Sequence, residues 1–266
     1  MNNLASCSIG VFDSGLGGLT VMKEISRRLP FEEIVYFADT ARVPYGCRSQ
    51  ESITRYSIEN VVFLMKKEIK ILVVACNTVS ACALGELKKR FKIPIIGMFN
   101  ESFKENLEVR ESSHVAVLGT KATVSSKLYE KLVRKKNPRA RVSSIACPLF
   151  VPLIEEGFKN HSFMEVVMDE YISPIARDDV DLVILGCTHY PFLKERIQKR
   201  FPKSATIIDP ARSCAEEVEK VLSSRSLKRE EREKFNYTYF VSGNLKKFCE
   251  VGGAFWEGKV KKVFNT

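Results

Sequence analysis

The sequence predicts an α/β fold with two pseudo-symmetric domains, each built on a parallel sheet, that face each other across a cleft. Short apolar runs alternate with helical patterns, which is typical of parallel α/β sheets. The order of these runs repeats, and Cys187 follows Cys76 by 111 residues at matching places. Polar residues follow several of the runs, at the strand ends where open α/β sheets bind ligands.

Four apolar runs in the first part of the chain indicate buried parallel strands. They are SIGVF (8–12), EIVYFA (33–38), KILVVA (70–75) and IPIIGMF (93–99). Apolar residues at helical spacing lie between them and predict helices packed on the sheet. These stripes are Met22, Ile25 and Leu29; Ile58, Val61, Val62, Met65 and Ile69; and Leu84, Leu87 and Phe91.

The second part of the chain repeats this order. HVAVLGT (114–120) resembles SIGVFDS (8–14), VDLVILGCTH (180–189) resembles IKILVVACNT (69–78), and ATIIDPA (205–211) resembles IPIIGMF. The last block, 212–266, reads as a helix, a charged turn, the strand YTYFV and a final helix, too short for a domain of its own. The sequence therefore predicts a discontinuous first domain of 1–97 plus 212–266 and a second domain of 98–211.

Composition restricts the class of protein. The chain has 266 residues, of which 45% are apolar, and no apolar stretch is long enough to span a bilayer. An export signal is not evident, so we expect a cytoplasmic protein with no membrane partner and eight free cysteines. There is no CxxC pair, and no metal site is expected. The net charge of +10 favours a solvated basic surface over a nucleic-acid site.

The segment GCTHYP (186–191) carries the strongest chemical signal. Cys187 and His189 follow an apolar run and are compatible with metal ligands, a thiol nucleophile with its base, or acid and base groups. Cys76, in ACNT, has the matching position in the first half. Two thiols on opposite sides of a bound molecule suit inversion of a stereocentre, because one removes a proton and the other returns one. A helix N-terminus after each thiol predicts a lowered thiol pKa.

The residues near these thiols suit an amino-acid substrate. Neutral donors fit carboxylates, acceptors fit an ammonium group, and His189 and Asp13 are placed to assist Cys187 and Cys76. Asp13 with SGLGG is also compatible with a plain turn and helix cap, and its glycines do not match GxGxxG. The loop DTARVPYG (39–46) is expected to close over the site. The residues concerned are Asp13, Ser14, Asp39, Tyr45, Gly46, Asn77, Thr78, Thr120, Thr188 and His189.

Several segments together resemble the glutamate racemases over nearly the whole chain. They are GVFDSGLGGLTV, DTARVPYG, ACNT, ACPLFVPLIEEG, LGCTHYP and YFVSGNLKKF. The resemblance implies interconversion of L- and D-glutamate without cofactor, a supply of D-glutamate for peptidoglycan, and a homodimer. It implies that Cys76 and Cys187 are the acid/base pair and that Asp13, Asp39, Glu155 and His189 assist. Substrate contacts are implied for Asp13-Ser14, Tyr45-Gly46, Asn77-Thr78 and Thr188-His189.

The sequence departs from the family pattern in GMFNES (97–102), in IDPARSC (208–214) and at Ala38. The first two departures affect the expected interdomain crossings and the dimer mode. Three alternatives stay open. One is a racemase for another amino acid such as aspartate, and the second is a thiol hydrolase that uses Cys187 and His189 without Cys76. The third is a DNA gyrase-binding role, which the basic charge suggests but the short segment before Cys7 does not favour.

Overall fold

The computed structural model describes residues 4–110, 113–177, 179–230, 236–256, 260 and 262–266. Within these residues, ten strands form two sheets in which every neighbouring pair is parallel. The strands are β1 (Ser8–Asp13), β2 (Ile34–Ala38), β3 (Ile69–Val74), β4 (Ile95–Gly97), β5 (His114–Gly119), β6 (Arg141–Ala146), β7 (Leu182–Gly186), β8 (Thr206–Ile208), β9 (Tyr237–Val241) and β10 (Val263–Asn265).

The two sheets repeat one topology. The first has the order β10-β9-β2-β1-β3-β4 and the second has the order β6-β5-β7-β8. The four-strand order β2-β1-β3-β4 therefore matches the whole of the second sheet, which confirms the predicted pseudo-symmetry. Strands β9 and β10 extend the first sheet beyond β2, so the last block of the chain packs back on the first half as expected. Strand β6 was not predicted, because its residues are half-exposed rather than a buried apolar run.

Twelve α-helices connect the strands in the described part of the chain. They are α1 (Leu19–Arg28), α2 (Gln50–Met65), α3 (Asn77–Cys82), α4 (Leu84–Arg90), α5 (Glu101–Asn106), α6 (Lys121–Ser125), α7 (Leu128–Lys136), α8 (Phe150–Glu155), α9 (Ser162–Ile172), α10 (Lys194–Gln198), α11 (Pro210–Ser224) and α12 (Leu245–Phe255). Short 3₁₀ turns include Tyr45–Cys47 and Tyr190–Leu193. None of the described helices is long and apolar enough to cross a membrane.

The predicted apolar stripe of α2 is partly wrong. Val62 and Met65 are 43% and 37% exposed. The buried face instead contains Ile53, Val61 and Leu64 together with the polar residues Ser57 and Asn60. A pattern of apolar residues alone misplaces this face, because two of its buried positions are polar. The stripes of α1 and α4 are confirmed by buried Met22, Ile25, Leu29 and Leu87.

One hydrophobic core continues from the first sheet into the second. It includes Val11 and Val73 of the first sheet and Leu118 and Leu185 of the second. Helix α11 lies at the junction, where it packs against both α1 and α5. The two sheets therefore form one continuous body, and the domain boundaries at 97/98 and 211/212 stay a prediction.

A buried ion pair holds two segments against the first sheet. They are the N-terminal segment and the segment that follows α11. The Nζ of Lys70, on β3, lies 2.6 Å from Oε2 of Glu32, and both side chains are fully buried. Lys70 also donates to the carbonyls of Ala5 and Leu227 at 2.9 and 2.8 Å. The second Glu32 oxygen accepts from the backbone N–H of Arg229 at 3.0 Å. Each buried charge is thus surrounded by polar partners, as burial of charge requires.

We expect Lys70→Met to lower the free energy of unfolding by about 3 kcal/mol, because it leaves the buried Glu32 carboxylate without its main partner. Urea denaturation at neutral pH measures the change. The matched control is Lys220→Met, which removes an exposed lysine paired with Glu105 at 2.7 Å. It should have a much smaller effect, since exposed ion pairs contribute little. Equal losses in both variants would show that the buried pair does not stabilise the fold.

Candidate active site

The loops that follow β1 and β7 touch each other where the two sheets meet. Thr188 donates its hydroxyl to Oδ1 of Asp13 at 3.3 Å, and Thr20 donates to the carbonyl of Thr188 at 3.2 Å. A Cβ atom on Gly17 would lie 2.3 Å from Oγ1 of Thr188 and 2.4 Å from Nδ1 of His189. Only glycine fits there, so SGLGG brings the two strand ends into contact and is more than a turn.

A small cavity of about 20 Å³ lies between these strand ends. That volume holds about one water molecule. The sequence predicts every lining residue except Pro44 and Val151, which have no polar side chain to mark them. The lining consists of Ser14, Pro44, Tyr45, Gly46, Cys76, Asn77, Thr78, Thr120, Val151, Cys187, Thr188 and His189. Both predicted thiols thus face one enclosed space.

Cys76 lies just after β3, at the N-cap of α3. Its thiol donates to Oγ of Ser14 at 3.6 Å. Burial and, to a lesser extent, the negative charge of Asp13 together raise the pKa of Cys76 to about 12. The prediction that a helix N-terminus lowers this pKa is therefore wrong for Cys76. Helix α3 has only six residues, and loss of hydration outweighs its effect on the thiolate.

Asp13 is fully buried and acts on Cys76 through its charge. Its carboxylate accepts hydrogen bonds from the backbone N–H of Gly15 at 3.0 Å and from Thr188. Burial raises the pKa of Asp13, while the charge of His189 lowers it in part. The Cys76 thiol donates to Ser14, so Asp13 is not its hydrogen-bond partner. Asp13 is better placed to fix Thr188 than to exchange a proton with Cys76.

Cys187 lies beside an ion pair. Its Sγ is 3.9 Å from Nδ1 of His189, and Nε2 of His189 is 2.9 Å from Oε1 of Glu155. Burial lowers the pKa of His189, but its hydrogen bonds to Cys187 and Glu155 outweigh burial and raise this pKa to about 10. Burial raises the pKa of Glu155, but its hydrogen bond to His189 and the charge of His189 outweigh burial. The net pKa of Glu155 therefore lies below its ordinary value. The imidazole is therefore a cation at neutral pH, next to the Cys187 sulfur.

A chain of hydroxyl groups crosses from the first half of the molecule to the second. Oγ1 of Thr78, on α3, is 2.9 Å from Oγ1 of Thr120, which is 3.0 Å from Oγ1 of Thr123 on α6. Tyr129 donates its hydroxyl to Oδ1 of Asn77 at 2.6 Å. The sequence analysis did not identify Thr123 and Tyr129, since only the fold brings them beside α3. They hold Thr78 and Asn77 in place at the cavity wall.

Asp39 does not line the cavity. Its carboxylate accepts from the hydroxyl of Tyr45, from Nε of Arg42 at 2.6 Å and from Oγ of Ser242 at 2.7 Å. Asn60, on the buried face of α2, donates to both Asp39 and Tyr45. Asp39 therefore fixes the loop that presents Tyr45, and the assisting catalytic role expected for it stays a prediction. The other predicted residues lie at the cavity or, like Asp13 and Glu155, directly behind its lining.

Among the described residues, no group of three or more His, Cys, Asp or Glu side chains is arranged to hold a metal ion. Of the chemistries compatible with GCTHYP, the geometry favours acid and base groups. Two thiols share the cavity, and a histidine cation accompanies one of them.

The sequence model of the family described as Asp/Glu/Hydantoin racemase matches residues 9–218. A glutamate racemase of Geobacter metallireducens is 44% identical over 259 residues, which cover 97% of this chain and 96% of the relative. The solved glutamate racemase of Francisella tularensis in complex with D-glutamate has a TM-score of 0.90 at 35% identity, over 98% of both chains. A glutamate racemase isoform of Bacillus anthracis has a TM-score of 0.90 at 34% identity, over 98% of this chain and 97% of that one.

We expect His189 to titrate with a pKa of about 10 and Glu155→Gln to lower that pKa, because the substitution removes the hydrogen-bonded negative charge. Nitrogen-15 NMR of labelled histidine measures both values, and His161, the N-cap of α9, is the internal control. A wild-type His189 that titrates near 6.5, its ordinary value, would contradict the ion pair. Because the folded pKa of His189 is raised, the stability contributed by its protonation is full below pH 6.5 and is lost as pH rises through about 10.

Proposed function

The chain belongs to the glutamate racemases within the Asp/Glu/Hydantoin racemase family, and we propose that it interconverts L- and D-glutamate by a two-thiol mechanism without a cofactor. One observation carries the mechanism: Cys76 and Cys187 follow the corresponding strands β3 and β7 of two matching sheets and line one cavity. A pseudo-twofold pair of thiols can reach a substrate carbon from opposite faces, which inversion of that carbon requires.

The reaction moves one proton at each face of the substrate. The thiolate of one cysteine takes the Cα proton, so the C–H bond breaks and its electron pair remains on the substrate as a carbanion. The thiol of the other cysteine gives its proton to the opposite face of the same carbon. The product is the mirror-image amino acid, and the two cysteines have exchanged their protonation states. No electrons enter or leave, so the cycle needs no redox partner.

The two thiols start the cycle in different states. The His189 cation beside Cys187 stabilises a negative charge on that sulfur. Cys76 stays protonated, because burial and the charge of Asp13 raise its pKa to about 12. Cys187 is therefore the base for the enantiomer whose Cα–H bond faces it, and Cys76 is the acid. In the opposite direction the roles are exchanged.

Hydrogen-bond donors in the cavity stabilise the substrate and the carbanion. Asn77, Thr78, Thr120 and Thr188 line the space and provide amide and hydroxyl groups for the two carboxylates. Ser14 lies beside Cys76 and offers its hydroxyl oxygen as an acceptor for the substrate ammonium group. The cavity of about 20 Å³ is far smaller than glutamate, so the halves must separate to admit the substrate.

The remaining parts of the proposal rest on the family. We assign the product D-glutamate to peptidoglycan synthesis, and place the enzyme in the cytoplasm as a homodimer with domains 1–97 plus 212–266 and 98–211. The hydrolase alternative gives Cys76 no role, although Cys76 shares the cavity with Cys187. The racemase is therefore the one activity that we propose. A racemase for aspartate is distinguished by assaying both substrates.

We expect Cys76→Ala and Cys187→Ala each to lower racemisation about 10²–10⁴-fold, the usual contribution of a general acid or base. Circular dichroism of L- and D-glutamate measures the activity, and Cys249→Ala, at an exposed thiol, is the control. Each Ser variant should keep exchange of the Cα proton with solvent deuterium for one enantiomer only. A fully active Cys76→Ala enzyme would refute the two-thiol mechanism, and activity lost on chelation and restored by zinc would refute cofactor independence.

We expect kcat/KM to follow a bell-shaped pH profile, whose alkaline limb reflects loss of the His189 charge near pH 10. His189→Asn should reduce kcat mainly for the enantiomer whose proton Cys187 removes. It should also shift the pH of the alkaline limb of the kcat/KM profile. The kcat/KM values for the two enantiomers must fall equally, because mirror-image substrates have the same free energy in water. The asymmetry therefore appears in kcat and in the proton-exchange rates. Equal kcat losses with an unchanged pH profile would make His189 a residue that only orients the substrate.

A further inference from the structure

A second, larger cavity lies next to the catalytic one. It measures about 580 Å³, within the range of small-molecule sites. It is lined from the first half of the molecule by the segment that begins α2 and the end of α3, and from the second half by α6 and the start of α7. We call it the vestibule. Like the catalytic cavity, it lies where the two halves meet.

Three cations line the vestibule: Arg48 from the first half, and Lys121 and Lys131 from the second. No Asp or Glu of the described residues lines it. None of the three cations forms an ion pair with a carboxylate in the described part of the chain. Ser125, Ser126 and Gln50 add neutral polar groups to the wall. The vestibule therefore has an uncompensated positive charge and attracts small anions.

The vestibule adjoins the catalytic cavity at the contact between Gly46 and Thr120. Gly46 lines both spaces, and it packs so tightly on Thr120 that a Cβ atom on Gly46 would lie 2.4 Å from Cβ of Thr120. Gly46 belongs to the first half and Thr120 to the second. A separation of the halves at this contact would join the two spaces. The substrate needs such a separation, because the catalytic cavity holds about one water molecule.

We infer that the vestibule is a capture site for the two carboxylates of glutamate, from which the substrate passes the Gly46–Thr120 contact into the catalytic cavity. This inference rests on the proposed function. Glutamate at neutral pH has two carboxylates and one ammonium group, so its net charge is negative. Cations from both halves can hold one carboxylate each while the contact opens. Arg48, Lys121 and Lys131 are then substrate-recruiting residues, and none of them touches the reacting carbon.

The test is the triple variant Arg48→Gln, Lys121→Gln, Lys131→Gln, assayed with both enantiomers. We expect KM to rise about tenfold, at the lower end of electrostatic focusing effects, with kcat unchanged. Raising the salt concentration from about 20 to about 300 mM should increase KM of the wild-type enzyme and have little effect on the variant, because salt screens exposed charges. A structural role would not produce this split between KM and kcat or this loss of salt dependence.

The matched control is Lys199→Gln, Lys203→Gln, Arg225→Gln, which removes the same charge. Lys199 and Lys203 precede β8 and Arg225 follows α11, so these exposed residues lie away from the carboxyl ends of the strands. A vestibule variant whose KM and salt dependence match those of this control would overturn the inference. A fall in kcat with unchanged KM would also overturn it. If the wild-type enzyme does not racemise glutamate at all, the proposed function fails instead, and the two failures are distinguishable.

Discussion

The contact between the loops after β1 and β7 is the constraint on which the rest of the site depends. Each loop belongs to a different sheet, and they meet because Gly17 leaves room for Thr188 and His189. The hydrogen bond from Thr188 to Asp13 closes the same junction. Strands β3 and β7 neighbour β1 and β5 at equivalent positions, so joining the sheets here places the thiols after β3 and β7 in one cavity. A side chain at Gly17 would separate the two strand ends and the two thiols with them.

The pseudo-symmetry of the backbone does not extend to the electrostatics. Cys76 lies near the carboxylate of Asp13 and donates to a neutral hydroxyl, whereas Cys187 lies beside the His189–Glu155 ion pair. The proposed two-thiol mechanism needs one thiolate and one thiol at the same moment. Two identical environments would leave both thiols protonated or both ionised over most of the pH range. The unequal partners distinguish the two sulfurs, because a cation accompanies Cys187 and an anion lies near Cys76.

The sequence predicts the sheets and the thiols well because their signals are local. Buried parallel strands read as continuous apolar runs, and the repeated order of those runs gives the topology shared by both sheets. Strand β6 lacks such a signal, since RVSSIA is half-exposed and gains its place only by pairing with β5. Likewise, the buried face of α2 contains Asn60, whose partners Asp39 and Tyr45 are distant in sequence. These features depend on tertiary contacts, which local periodicity does not record.

The role of Asp39 shows the same limit at the site. A carboxylate at a strand end beside a glycine-containing loop has the pattern of a catalytic group, and no local feature distinguishes it from a structural one. The distinction comes from Arg42, Tyr45 and Ser242, which satisfy the carboxylate from three directions. Ser242 belongs to the last block of the chain, so the C-terminal strand β9 helps to fix a loop that lines the cavity.

The raised pKa of Cys76 is compatible with its role as a base in one direction of the reaction. A thiol that had to lose its proton to water would be ionised too rarely at neutral pH to act. In the proposed cycle Cys76 gives its proton to the substrate carbanion in one direction, so its thiolate forms inside the closed cavity. The reverse direction starts from the state that this step leaves, with Cys76 as the thiolate and Cys187 as the thiol. A thiolate of high pKa is a strong base, and a strong base is needed for the weakly acidic Cα–H bond. The burial that suppresses ionisation in water therefore strengthens the thiolate that the reaction itself generates.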